Sequence, residues 1–301
     1  MSAAIEREAW LQARRKGIGG SDAAAILGLS PWKSPLQLYL DKRGELESQP
    51  DNESMLWGRV LEPVIRQQYA ERTGRIVRLH EGIIAHPSHA FMLANLDGFT
   101  DDRRVLEIKT ARSGHDWGEP GTDEIPETYL LQVQHYMAVT GYEVADVAVL
   151  IGGSDFRIYE VPADNDLHEM LIDAEAEFWQ RVVEGNPPDP VNHADMVAKF
   201  GRSSIEQAIE ASHEELEALA QLKAIRAQIK EAEKIEESAK AILMKAMGEA
   251  DTLSTNGKVV VTWKMAKPSN RFDAAGFKAA HPELYAQFCR AGEPSRRFML
   301  K

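Results

Sequence analysis

The 301-residue sequence holds a single cysteine, fewer basic than acidic residues, and no long apolar run. With only Cys289, an internal disulfide, a cysteine-based zinc site and an iron–sulfur cluster held by this chain alone are excluded. Acidic residues number 47 against 35 Lys and Arg, a formal net charge of −12. That balance argues against a protein that coats nucleic acid. It leaves room for an enzyme that grips nucleic acid through a local basic channel, because carboxylates elsewhere can dominate the total. No stretch reaches the roughly 18 apolar residues of a membrane-spanning helix. Residues 1–8 lack the apolar core of a secretion signal, so a cytoplasmic location without membrane contact is expected.

What is present reads as a folded α/β protein. Hydrophobic residues make up 44% and charged residues 27%, the mixture of an ordinary globular chain. Helices are expected over 5–16, 36–42, 51–72, 127–140 and 164–184. Strands are expected over 75–80, 83–85, 91–96, 104–110, 144–151 and 156–161. That order suggests a sheet flanked by helices. Gly17-Ile18-Gly19-Gly20-Ser21 forms a turn opening onto a further helix, with Ser21 as its N-cap and Gly28 as its stop. Trp32, between two prolines, reads as a hydrophobic plug. The run Gly185-Asn186-Pro187-Pro188-Asp189-Pro190 marks a boundary, dividing residues 1–190 from a C-terminal extension, 191–301. There, apolar residues from Ile205 to Ile242 predict a long helix over 204–248. It would span ~65 Å if straight, or fold into a hairpin. An Asn256-Gly257 β-hairpin, a short helix and a strand-like 296–300 are expected after it.

The chemistry concentrates between residues 97 and 109. Alternation along the 104–110 strand puts Glu107 and Lys109 on one face, and Asp97 precedes them in a turn. Two carboxylates beside an ammonium suit a divalent cation. Mg²⁺ takes oxygen ligands, few from protein and the rest from water and substrate. Asp97 and Glu107 would supply two, and the Ile108 backbone carbonyl a third. Such a cation acts as a Lewis acid and acidifies bound water. Lys109 would orient or help deprotonate the attacking water and offset charge on a phosphate. Glu62, on a helix, offers a third carboxylate for a second metal or its water shell. Gln132 and Tyr136, four apart on one helix face, offer a hydrogen-bonding amide and a supporting phenol. Arg15 and Ser21, with the backbone N–H groups of a helix start, fit an anion site, and the glycines would permit its close approach.

Together these residues resemble a known family. The stretch from Arg14-Arg15-Lys16-Gly17-Ile18-Gly19-Gly20-Ser21-Asp22 to Ser30-Pro31-Trp32 is similar to the opening of the YqaJ-like phage recombinase nucleases. These are relatives of the lambda-type exonuclease in the PD-(D/E)XK superfamily. Gly58…Glu62, Asp97-Gly98, Glu107-Ile108-Lys109 and Gln132…Tyr136 follow in the family's order, and Leu96 stands where the superfamily motif has proline. The resemblance covers about residues 5–185. It implies a central mixed sheet flanked by helices, and an enzyme that degrades one strand of linear double-stranded DNA from the 5′ end with Mg²⁺, one or two ions, or Mn²⁺ in its place. Asp97 and Glu107 would be metal ligands, Lys109, Glu62 and Gln132 catalytic, and Arg15 and Ser21 would hold the 5′-phosphate. The resemblance also implies a single-strand annealing recombinase as partner, a possible ring-shaped homotrimer, and the host-cell cytoplasm if phage-encoded. An endonuclease or a flap or single-strand nuclease on the same core, or a non-catalytic DNA-binding or assembly protein on a dead nuclease fold, stand as alternatives.

Overall fold

The structure, a computed structural model, describes residues 12–46, 52–202, 207–267, 272–290 and 296–300. Contacts divide it into two units, Met1–Arg202 and Ser203–Lys301.

The first unit is built on a mixed five-stranded sheet. Its strands are β2 (Val77–Arg78), β5 (Gly98–Thr100), β6 (Arg104–Ala111), β7 (Val144–Ile151) and β8 (Asp155–Pro162), in the order β2-β5-β6-β7-β8. Only β6 and β7 run parallel. Parallel neighbours need a crossover, and helix α4 (Glu127–Thr140) lies between them in sequence. A small second sheet joins β1 (Ile18–Gly19), β4 (Met92–Ala94) and β3 (Ile84–Ala85), with β1 parallel to β4. Other helices of the unit are α1 (Gly20–Ile26), α2 (Pro35–Lys42), α3 (Glu53–Thr73), α5 (Asn165–Glu184) and α6 (His193–Phe200).

Both faces of the sheet are covered, and β6 shows why. Its side chains alternate. Leu106 and Ile108 pack with Ile65 and Tyr69 of α3, which stand four apart and share one helix face. Val105 faces the other way, into the core that holds Val133 and Met137 of α4. Glu107 and Lys109 share that second face, so the sheet's own periodicity delivers them to α4. Burying a side chain such as Ile65 or Met137 contributes about 1.5–3 kcal/mol. Asn52 caps α3 at its start, and Gly74 and Gly141, at φ 70° and 66°, end α3 and α4 in the left-handed conformation that glycine adopts without strain.

Several expectations shift. Of the helix expected over 5–16, residues 12–14 are helical and 5–11 lie outside the described residues. Pro63 sits inside α3 rather than at its start. The 75–80 strand shortens to Val77–Arg78. Trp32 is 70% exposed, so it plugs nothing. The division between units falls after Arg202 rather than at 190, because α6 is tied back to the core. Its buried Asp195 accepts from Ser34 Oγ at 2.6 Å.

In the second unit the long helix is α7 (His213–Met247), 35 residues and ~52 Å long. It starts nine residues later than expected because Ser212 and Glu215 form a capping box there. Ile205 lies outside the described residues, and Ile209 is exposed ahead of the helix. The expected hairpin is present as β9 (Thr252–Thr255) and β10 (Lys258–Thr262), with Asn256 and Gly257 both at positive φ, the turn geometry that matches strand twist. Two short helices, α8 (Ala274–Ala280) and α9 (Pro282–Phe288), follow, and 296–300 is not a strand. No helix among the described residues is long and apolar enough to cross a membrane.

Candidate active site

A cavity of about 180 Å³ opens where β1, β4, β6 and α4 meet. Asp97, Glu107, Gln132 and Tyr136 line one part of it, and Arg14, Gly19 and Ser21 another. Residues as far apart in sequence as Arg14 and Tyr136 thus share one small space.

Asp97 sits in the turn before β5. Antiparallel pairing aligns Gly98 with Leu106, which leaves the Ile108 N–H to Asp97; it donates to Asp97 Oδ2 at 2.8 Å. Ile108 therefore meets Asp97 through its N–H, while its side chain packs toward α3. Glu107 is 3% exposed. Its Oε1 takes Lys109 Nζ at 2.6 Å and Gln132 Nε2 at 2.7 Å. Lys109 Nζ also donates to Gln132 Oε1 at 3.0 Å and lies 4.5 Å over the Tyr129 ring. Gln132 Nε2 reaches the Tyr136 hydroxyl at 3.1 Å. One amide thus holds carboxylate, ammonium and phenol in a fixed relation, using both its donor and acceptor ends.

The electrostatics are those of crowded anions. Burial, then the neighbouring Glu107 and Glu62 charges, push the Asp97 carboxyl well above the carboxylate range. Burial likewise raises Glu107, against the pull of Lys109. Burial would lower the Lys109 ammonium, but Glu107 and Asp97 outweigh it and raise it. Burial, then Glu107 and Asp97, raise Tyr136 well above its ordinary value.

A divalent cation fits this donor set. Glu107 Oε2 is buried without a hydrogen-bond partner, which is costly for a carboxylate oxygen, and every nearby donor is hard oxygen. The set is sparse. Among the described residues no three His, Cys, Asp or Glu side chains gather as a complete ligand group. Glu62 stands apart. It is paired with Arg66, whose Nε holds the Asp97 carbonyl at 2.9 Å. It acts on Asp97 and Glu107 through its charge.

The anion site differs from expectation in three ways. Arg15 turns away toward Asp41, at 3.8 Å. Arg14 lines the cavity instead, its Nη2 donating to Ser21 Oγ at 2.6 Å. Second, Ser21 is not the N-cap of α1. Gly19 is, and its N–H donates to Asp22 Oδ2 at 2.9 Å. Third, two of the glycines serve packing rather than ligand approach. A Cβ on Gly17 would lie 2.3 Å from the Phe91 carbonyl, and one on Gly20 2.8 Å from the Gln132 carbonyl. Beneath this loop the buried Lys42 bonds Asp22 at 2.6 Å and the Arg14 carbonyl at 3.1 Å, clamping both of its ends. Arg14 and Asn95, both lining the cavity, were missed in sequence. Arg14, adjacent to Arg15 in the same basic run, was equally visible in the sequence; Asn95 carried no signal.

Behind α4, His135 is fully buried between Glu175 Oε1 at 2.8 Å and the Leu93 carbonyl at 3.0 Å. Burial lowers its pKa, but Glu175 and the Leu93 carbonyl outweigh it and raise it. A raised folded pKa stabilises the fold fully below the unfolded value and is lost as pH climbs through the folded one. Stability is therefore expected to fall above pH 6.5, by up to about 1.4 kcal/mol per pH unit. Urea melts across that range should show a flatter profile in His135→Gln. An unchanged slope would refute the assignment.

A family model of the YqaJ-like viral recombinase domain matches residues 9–143. The YqaJ protein of Bacillus subtilis (strain 168) is 35% identical over 306 residues, 99% of this chain and 95% of the relative. The chain belongs to the YqaJ-like viral recombinase family. A mimivirus protein, R354 of Acanthamoeba polyphaga mimivirus, shares 27% identity over 150 residues, 46% of this chain and 27% of that one. The solved alkaline exonuclease of Laribacter hongkongensis is 23% identical, with a TM-score of 0.49 over 60% of this chain and 94% of that one. The family's matched region holds Arg14, Ser21, Asp97, Glu107, Lys109 and Gln132.

Proposed function

We propose that this protein is a metal-dependent deoxyribonuclease that removes nucleotides from the 5′ end of linear duplex DNA. One observation carries the reading. The Arg14–Ser21 pair and the Asp97–Glu107 carboxylates open onto the same cavity, so an end phosphate and a scissile phosphate can be addressed together. Membership of a viral recombinase family supports DNA as the substrate.

Asp97 and Glu107 would hold Mg²⁺, or Mn²⁺, with the Ile108 carbonyl as a further ligand. When bound, the ion would supply Lewis acidity toward the phosphate and lower the pKa of its water. The chain's own groups do the rest. Arg14 and Ser21 donate to a terminal phosphate. Gln132 fixes Lys109 against Glu107, and Lys109 directs an N–H at the attacking water or the phosphate oxygen. Tyr136 supports Gln132, and Glu62 with Arg66 braces the Asp97 turn. The remaining 3′ overhang would suit a single-strand annealing protein, and a ring of three subunits would suit processive digestion.

The test uses labelled duplexes with Mg²⁺ and then EDTA. Linear DNA with a 5′-phosphate is expected to shorten from its 5′ end, more slowly without that phosphate and not at all in EDTA. Cleavage of a covalently closed circle would favour an endonuclease. Loss from the 3′ end would overturn the polarity.

A further inference from the structure

We propose that Trp32 is a stacking platform for an unpaired nucleobase at the DNA end being cut. The proposal rests on the nuclease reading above. Trp32 is 70% exposed, which leaves a large π-face open to solvent.

The loop that carries it is rigid. Ser30 Oγ accepts the N–H groups of Trp32 and Lys33 at 3.2 and 3.3 Å. Pro31 and Pro35 fix the backbone on either side. Ser34 caps α2 by accepting the Gln37 N–H, while its hydroxyl donates to buried Asp195. The indole is thus held out on a scaffold anchored to two helices.

Its neighbours lead to the cleavage centre. Trp32 stacks on Tyr129 with ring centroids 6.5 Å apart and an interplanar angle of 22°. Tyr129 contacts Trp117 at 5.7 Å, and Trp117 contacts Tyr159 at 5.2 Å. The same Tyr129 ring lies 4.5 Å from Lys109 Nζ. A row of aromatics therefore runs from the core to the surface, passing beside the ammonium, and a single ring separates Trp32 from it.

The exposed aromatic face, rather than the cations beside it, sets a base as the occupant. Lys33, next to the indole, is engaged by Asp41 at 2.7 Å, and Arg15 reaches the same carboxylate at 3.8 Å. Both cations are thus engaged by one carboxylate, and what the loop exposes most is the aromatic face. Such a face takes any base, because every base has a π-face, and suits an enzyme that must accept each nucleotide in turn.

The test is steady-state digestion of 5′-phosphorylated linear duplex by the full-length protein, Trp32→Ala and Trp32→Phe. Trp32→Ala is expected to raise KM about 5- to 150-fold, the loss of one base–aromatic stack. Its kcat should stay within about 2-fold, because stacking holds ground and transition states alike. Trp32→Phe should recover most of the loss. In a second arm, single abasic residues are placed at each of the first few end positions. One position should cost the wild type a similar factor and leave Trp32→Ala indifferent. An unchanged KM in Trp32→Ala, a loss confined to kcat, or a wild type indifferent to every abasic position would overturn the proposal. Failure of the wild type to cut DNA at all would instead sink the nuclease reading.

Discussion

Lys109→Met is expected to lower hydrolysis of linear duplex by about 10³-fold or more, with duplex binding retained. Among the described residues, Lys109 is the one ammonium held by Glu107 and Gln132, at 2.6 and 3.0 Å. Removing it leaves Glu107 with the Gln132 amide alone, and breaking a buried pair costs about 3–5 kcal/mol. Thermal melts must therefore accompany the rates. Lys109→Arg is the cleaner companion. It keeps the positive charge but replaces a compact ammonium by a planar fork, which cannot sit between Glu107 and Gln132 in the same way. It should remain folded and inactive. Full activity in Lys109→Arg would show that charge alone suffices and that the Gln132 geometry is irrelevant. Equal absence of activity in wild type and variants, with DNA binding intact, would instead support a non-catalytic DNA-binding protein.

Asp97→Asn is expected to separate stability from function. In the metal-free protein the half-buried Asp97 is crowded by Glu107 and Glu62. An asparagine keeps an acceptor for the Ile108 N–H but removes the repulsion. The variant should melt at least as high as wild type without metal, a gain on the order of 1 kcal/mol. Wild type should then be stabilised by Mg²⁺, by about 2.7 kcal/mol at a hundredfold excess over Kd. Asp97→Asn should lose most of that shift, together with about 10³-fold or more of the activity. Differential scanning calorimetry with Mg²⁺ and with EDTA reads both effects. A variant that kept the full Mg²⁺ shift would remove Asp97 from the ligand set.

The first experiment tests a residue whose placement was legible from sequence, and the reason is local. Glu107 and Lys109 share a face because strand side chains alternate, and Gln132 and Tyr136 share one because helix neighbours recur at four. Neither relation needs the rest of the fold. Arg14 against Arg15 was not legible. Adjacent residues in a turn point in different directions, and Asp41 on α2 draws Arg15 aside while Ser21 takes Arg14. Glu62 was read as a catalytic carboxylate from its order in the chain. Its partner Arg66 stands four residues on, a spacing visible in the sequence, yet only the fold shows that Arg66 also holds the Asp97 turn.

By itself the sequence determined the α/β alternation, the carboxylate–lysine strand and the helix amide that faces it. Each follows from backbone periodicity and from the chemistry of single side chains. Tertiary structure decided what converges. It brought Arg14 and Ser21 into the cavity of Asp97 and Glu107, made Gly17 and Gly20 packing glycines, carried the first unit through α6 to Arg202, and left Trp32 exposed beside Tyr129. Those outcomes depend on long-range packing between segments, where the distance of approach and the competing partner are set by the whole fold rather than by neighbours in the chain.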